Sequence, residues 1–433
     1  MAEPIVKKTK TEGQENETIS LIQSPYDDLY ISKYSLPKCQ AESINAVKIS
    51  KDKRKLATCS STGVIRIYNF EDGVLLATLN GHTKGVSDIA FSPINSDILA
   101  SGSDDLTIRL WSISQRKCIR ILKKHTYHIT TVAFNSKGSM LISGAADETI
   151  VLWDLTSGGS LKTLAAHSDP VSSVCLTPDD TIIVSSSYDG LMRLFDTETG
   201  QCLKTLIYNS TSHGTATAST SDVVNFPISK VTISPNGKFI LSSSLDGKIR
   251  LWDYMSNKVV KTYLGIGGNT PINNKYNSGS AFIQKVAKPI VASGSDSCGT
   301  LFWDLQTKAI VYQLQPGKTI LDVNSIDGGS YLTTCSLSGE VDVYELNKKY
   351  EDQSSKGRTL NGATKKNING ITIERRNEDD SPFQSISGTP LQTPLETPVE
   401  TPAETPTESP IETPIETPAE TPAESREETP DED

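Results

Sequence analysis

Between about residue 28 and residue 346 the chain is written in short runs of alternating apolar and polar residues, each closed by Gly, Asp, Asn or Ser. Alternation of period two predicts half-buried strands joined by turns, with no call for long helices. The clearest run is S-G-S-D-D-L-T-I-R-L-W, residues 101–111, and its pattern keeps returning. It recurs as G-A-A-D-E-T-I-V-L-W ending at Trp153, S-S-S-Y-D-G-L-M-R-L-F at Phe195 and S-S-S-L-D-G-K-I-R-L-W at Trp252. Looser copies end at Tyr68, Trp303 and Tyr344.

The spacings between successive aromatics, from Tyr68 to Tyr344, are 43, 42, 42, 57, 51 and 41 residues. A period of about 40–45 residues, with small residues, a polar turn, an alternating strand and Trp-Asp, predicts four-stranded blades. The expected fold is therefore all-β: a propeller of seven blades spanning residues 26–347. Residues 81–122 show the internal order, with V-S-D-I-A-F innermost, then I-L-A-S-G-S, T-I-R-L-W-S-I and K-C-I-R-I-L. A blade of this kind leaves both faces apolar, so its stability comes from its neighbours.

The seventh copy has room for only three strands before the chain turns polar. The alternating stretch L-Y-I-S-K-Y-S-L at 29–36 has no hairpin partner of its own, and is expected to supply the missing strand and remove an open sheet edge. The 57- and 51-residue intervals carry insertions at 208–225 and 265–280. Both are rich in Ser, Thr, Gly and Asn and are read as mobile surface loops rather than ordered partner contacts.

Charge changes the picture at the C-terminus only. The chain carries a net −10, but from residue 381 onward thirteen acidic residues face Arg426 alone, which leaves the remainder at +2. From Thr389 the motif T-P-x-E returns every four residues, a spacing of proline that excludes helix and ladder. We read 1–25 as a disordered leader with a short basic cluster at Val6 to Lys10, 348–388 as a polar linker, and 389–433 as a disordered acidic tail. Each Thr-Pro or Ser-Pro in that tail is a potential proline-directed phosphorylation site.

Seven cysteines are scattered without a C-x-x-C pair, so neither a zinc site nor a disulfide framework is expected. No apolar run nears the roughly 18 residues that span a bilayer, and the start lacks a signal-peptide core. No cofactor or metal is expected, and neither direct nucleic-acid nor membrane binding.

Repeated His, Asp, Ser and Trp are the candidate chemistry. His82, His125 and His167 lie 29, 28 and 28 residues before Trp111, Trp153 and Phe195, and Asp105, Asp147, Asp189 and Asp246 each sit six residues before their aromatic. A nucleophilic triad needs one exposed pocket and occurs once. A set that returns with each blade is better explained as a buried hydrogen-bond network, completed by Trp111, Trp153 and Trp252, that satisfies the same polar turn each time. The first, sixth and seventh copies have Thr62, Ser297 and Ser338 in place of the turn Asp, and the fifth copy has Ile266 where a histidine is expected. Those blades are expected to be the less rigid ones.

The Gly-His to Trp-Asp spacing and the seven copies resemble the WD-repeat propellers over about 29–346. Two stretches, residues 168–207 and 234–254 with K-T-Y at Lys261, closely resemble the small WD-repeat subunit of COMPASS-type (SET-domain) histone methyltransferase complexes. The resemblance implies a nuclear, non-catalytic scaffold that helps assemble an enzyme methylating lysine 4 of the histone 3 tail. Implied partners are the SET-domain catalytic subunit and a second WD-repeat subunit, with the histone tail itself as a further candidate. Animal members hold a partner's arginine at the channel mouth between two phenylalanines. Carried over by position, that ring would include Ser87, Ser172, Ser229 and Tyr276, with Thr130 and Gly279 where the phenylalanines would stand. The alternative, resting on fold alone, is an adaptor such as a ubiquitin-ligase substrate receptor.

Overall fold

The computed structural model describes residues 26–36, 42–208, 226–268, 270–352, 366–368 and 371–373. The expected leader, the acidic tail and all but the first residue of the 208–225 insertion lie outside them. Seven four-stranded antiparallel sheets form, six of them in chain order and the seventh completed by a strand from the start of the ring. Their innermost strands, Ile44–Ile49, Val86–Phe91, Ile129–Phe134, Val171–Leu176, Ile228–Ile233, Ser280–Ile283 and Ile320–Ile326, follow one another around a central channel. Among the described residues, regular structure other than strand is limited to two 3-10 turns, Ile266–Gly268 and Asp327–Gly329. The molecule is an all-β, seven-bladed propeller.

Apolar residues collect between blades rather than within them. Ile142, Ile150, Leu152 and Leu164 of the third blade pack with Val171, Val174, Ile183 and Phe195 of the fourth. Each junction therefore removes two faces from water at once, at about 25 cal/mol per Å² of apolar surface. The ring is closed by its own N-terminus. Tyr30–Leu36 is the fourth strand of the seventh sheet, with Tyr30 opposite Leu346 and Leu36 opposite Val341. Leu29, Tyr30 and Leu36 are buried, and the Tyr30 hydroxyl donates to the Gly329 carbonyl at 2.6 Å. Beyond the last strand the chain stays against the ring through Tyr350, whose side chain meets Tyr26 edge-on at 4.9 Å. Lys366–Ile368 and Ile371–Ile373 form a separate two-stranded ladder.

Two bulges recur in the blades. The first interrupts the innermost strand one residue after its start and leaves Asn45, Ser87, Thr130, Ser172, Ser229 and Leu321 as the unpaired residues. The second interrupts the outermost strand and leaves Leu76, Ile119, Leu161 and Leu203 unpaired in the first four blades. A bulge carries two residues against one and re-aims a side chain. The inner set is turned towards the channel and the outer set towards solvent.

A cation on the outermost strand then reaches forward to the next blade. Arg120 donates to the Leu155 carbonyl at 2.7 Å, Lys204 to those of Tyr254 and Met255 at 3.0 Å, and Lys261 to that of Leu305 at 2.7 Å. Lys162 makes the corresponding bond to the Glu198 carbonyl.

The second insertion differs from its expectation. Residues 270–280 are tied to the ring, not loose: Ile272, Asn273 and Ser278 are buried, and Ile272 exchanges backbone bonds with Gly247 and Asp296 at 3.0 and 3.1 Å. The Asp296 carboxylate also accepts the amides of Asn274 and Lys275, each at 2.8 Å. A polar composition concealed this because the order comes from backbone bonding to a neighbouring turn.

Candidate functional site

In the second, third and fourth blades the repeated polar residues assemble into one chain of bonds each. In the second blade, His82 Nδ1 donates to Asp105 at 2.8 Å, while Nε2 faces Ser101 Oγ at 2.7 Å and Trp111 Nε1 donates to that oxygen at 2.8 Å. In the third, His125 meets Asp147 at 2.9 Å and Ser143 at 2.7 Å, and Trp153 donates to Ser143 at 2.9 Å. In the fourth, His167 meets Asp189 at 2.9 Å and Ser185 at 2.8 Å, with Phe195 in the tryptophan's place. A carboxylate only accepts, so Nδ1 carries the proton and the serine hydroxyl is left to donate to Nε2.

Burial works to raise the Asp147 carboxyl, but the bonds from His125, Thr149 and the Thr126 amide outweigh it and hold it well below the usual range. Asp105 and Asp189 are lowered in the same way. Burial lowers His82 against the pull of Asp105. A Ser-His-Asp order invites comparison with a hydrolase. Here the three serines are fully buried, and two of them sit beneath an indole, so no carbonyl carbon can approach. No group of three His, Cys, Asp or Glu able to hold a metal occurs among the described residues.

The fifth and sixth blades replace this chain with other groups. Asp246 pairs with Arg250, whose guanidinium lies 3.7 Å from the centre of the Tyr208 ring, and Trp252 still donates to Ser242 at 2.9 Å. Trp303 donates instead to the Leu264 carbonyl at 2.9 Å. The acid of that blade is Asp296, one residue before Ser297. Thr62 and Ser338 bond to Ser60 at 2.8 Å and Ser336 at 2.9 Å. Sequence alignment on the aromatic misses both Arg250–Tyr208 and Asp296.

At one end of the channel the inner bulges line a pocket of about 470 Å³. Ser87, Thr130, Ser172, Ser229 and Tyr276 all border it, together with Asn45 and Leu321 at the same bulge position and Lys230, Lys275, His128 and Asp104. Ser172 donates to the Ile228 carbonyl at 2.6 Å, Thr130 to that of Val171 at 2.5 Å, Ser229 to that of Ser243 at 3.2 Å and Ser87 to Asp104 at 3.1 Å. Their protons are used by the wall, which leaves the half-buried Ser87 and Thr130 oxygens as acceptors at the opening, while Ser172 and Ser229 are buried.

Two features separate this mouth from an aromatic arginine clamp. A Cβ at Gly279 would lie 2.3 Å from Asp322 Oδ1 and 2.7 Å from the Val323 amide, so this backbone has no room there for any side chain. Lys230 and Lys275 have no carboxylate within ion-pair distance among the described residues, so a guanidinium entering beside them meets like charge. Deeper in the wall, Lys48 pairs with Asp322 at 2.5 Å across the junction of the first and seventh blades. Burial works to raise Asp322, while Lys48 and Lys230 bring it down.

Three relatives share part of the chain. Polycomb protein EED of Chaetomium thermophilum is 40% identical over 93 residues, 20% of this chain and 16% of its own. WD repeat and SOCS box-containing protein 1 of Xenopus tropicalis is 35% identical over 112 residues, 25% of this chain and 26% of its own. Pre-mRNA-processing factor 19 of Bos taurus is 30% identical over 90 residues, 21% of this chain and 18% of its own. The chain thus spans about a quarter or less of the length of these relatives. A family model described as the WDR5 beta-propeller domain, by contrast, matches residues 36–345, which is the whole ring apart from most of its closing strand. With seven blades, a repeated polar chain in each well-formed blade and a match over that length, the chain belongs to the WDR5 beta-propeller domain family.

Proposed function

We propose that this protein is a non-catalytic scaffold subunit of a COMPASS-type histone methyltransferase complex, working in the nucleus with a SET-domain catalytic subunit and a second WD-repeat subunit. The observation that carries the reading is the match to one propeller family through residues 36–345, on which the two long resembling stretches, 168–207 and 234–254, both fall. Within it the His-Asp-Ser chains serve the fold. Contact with partners falls to the channel mouth, at Ser87, Thr130, Ser172, Ser229 and Tyr276, and to the blade rims. The mouth offers hydroxyl acceptors, with Tyr188, Tyr276 and His128 as its rings and no phenylalanine pair, which suits a polar loop better than a single clamped arginine.

Purification of the tagged full chain from nuclear extract, with identification of co-purifying proteins and an assay of methyl transfer to histone 3 tails, tests this. Recovery of a SET-domain protein with activity is expected. A second reading, an adaptor for a ubiquitin ligase, is favoured by the similarity to WD repeat and SOCS box-containing protein 1. Recovery of cullin-type partners without methyl transfer would replace the first reading by the second.

A further inference from the structure

We propose that the rim between the third and fourth blades is a docking groove for a partner segment bearing one aliphatic side chain followed by two cationic residues. The groove has a volume of about 540 Å³ and is lined by Met140, Leu152 and Leu161 of the third blade and by Asp180, Asp196 and Glu198 of the fourth. Leu152 is the buried floor. Leu161 is the unpaired residue of the outermost bulge, pairing skipping from Lys162 to Ser160, and this turns it outwards until 57% of its surface is exposed. Other blades present an aliphatic side chain in the same way, so an exposed leucine is not itself the signal.

The charge beside it is. The single cation lining the groove, Lys162, is already committed to the Glu198 carbonyl, and three carboxylates stand along the opposite wall. Asp180 occupies a left-handed position, φ 62, where the corresponding turns of the third and fifth blades have Gly138 and Gly237 at φ 65 and 70. An aspartate tolerates that conformation only at a cost that glycine avoids. Its carboxylate takes the Ser136 amide and hydroxyl at 2.8 and 2.6 Å, which fixes one acid at the junction itself. Asp196 is likewise held, accepting the Thr199 amide at 2.7 Å. The groove therefore joins an apolar floor to an anionic wall that is already ordered, and that combination selects an apolar anchor with positive charge beside it. The groove's chemistry is independent of which complex the protein serves.

The four methionines make the test direct. Met140 lines the groove, Met192 is buried in the fourth blade and Met255 is exposed on the fifth. The full chain, carrying 13C-labelled methionine methyls, is titrated with the acetylated, amidated peptide Ala-Ile-Lys-Arg-Ala and with its charge-reversed counterpart Ala-Ile-Glu-Glu-Ala. We expect a saturable shift of the Met140 methyl with the first peptide, none at Met192 or Met255, and at least a tenfold loss of affinity in Leu161→Gln and in Glu198→Lys. Both positions are exposed, so the fold survives either change. A silent Met140, an equal response to the charge-reversed peptide, or binding unchanged in both variants would overturn the proposal.

Discussion

Asp147 shows how much a single side chain carries in this ring. It accepts from His125, Thr149 and the Thr126 amide, and those donors keep its carboxyl ionised far into acid. A carboxylate whose folded value lies below its unfolded one contributes stability that is complete above about pH 4 and is lost as pH falls below that value. Asp105 and Asp189 behave alike. His82, lowered by burial, acts in the same direction at higher pH: its contribution is complete above about pH 6.5 and declines below it. We therefore expect Asp147→Asn to lose about 2 kcal/mol in urea unfolding at pH 7, as for a hydrogen bond to a charged group, and to flatten the acid limb of the melting curve. An unchanged acid limb would show that the carboxylate does not carry this dependence. The His-to-Asp spacing of these residues is visible in the sequence because every member lies within one repeat. Arg250 with Tyr208 is not visible, since the pair replaces a histidine by a different chemistry drawn from the edge of an insertion.

The strand Tyr30–Leu36 belongs to a different order of effect. Its loss exposes the backbone of Val341–Leu346 and uncovers the cluster in which Leu29 and Tyr30 sit with Phe302, Leu332 and Tyr344. Burying large apolar side chains is worth about 1.5–3 kcal/mol each. Deletion of residues 26–38 should lower the melting temperature by more than 10 °C, on the order of several kcal/mol for a domain of this size, and bring aggregation through the open edge. A calorimetric scan decides it, and an unshifted transition would mean that the seventh sheet closes without this strand. The strand is legible because alternation without a local partner has to be completed elsewhere. The packing of 270–280 is not, because glycine and asparagine say nothing about which turn their amides will meet.

At the scale of the whole ring, the channel mouth gathers residues that no local window places together. The bulge after the first residue of six of the seven innermost strands brings Asn45, Ser87, Thr130, Ser172, Ser229 and Leu321 to one opening, and this much follows once the repeats are aligned. The lysines do not follow. Lys230 stands where the equivalent strands have Asp88, Thr131, Ser173 and Asp322, and Lys275 enters from the folded insertion. Rebuilding one aromatic plate while removing one of the two lining lysines, as Thr130→Phe with Lys230→Ser, should raise the affinity for a short peptide with a central arginine at least tenfold over the parent chain. Equal affinity in calorimetric titration would mean that neither feature controls entry. Gly279→Phe should not help, and should instead destabilise the sixth blade by about 1–3 kcal/mol or more, because the site is already filled by its neighbours.

The forward-reaching cations Arg120, Lys162, Lys204 and Lys261 give this closed ring a sense of rotation. The second to fifth blades each hold down a turn of their successor in this way, so the two sides of those four junctions are not equivalent. Neutralising one of these side chains, whether by substitution or by acetylation of a lysine, frees the turn ahead and leaves the one behind untouched. The effect of losing one of these four side chains is therefore to be sought one blade downstream of the residue that was changed.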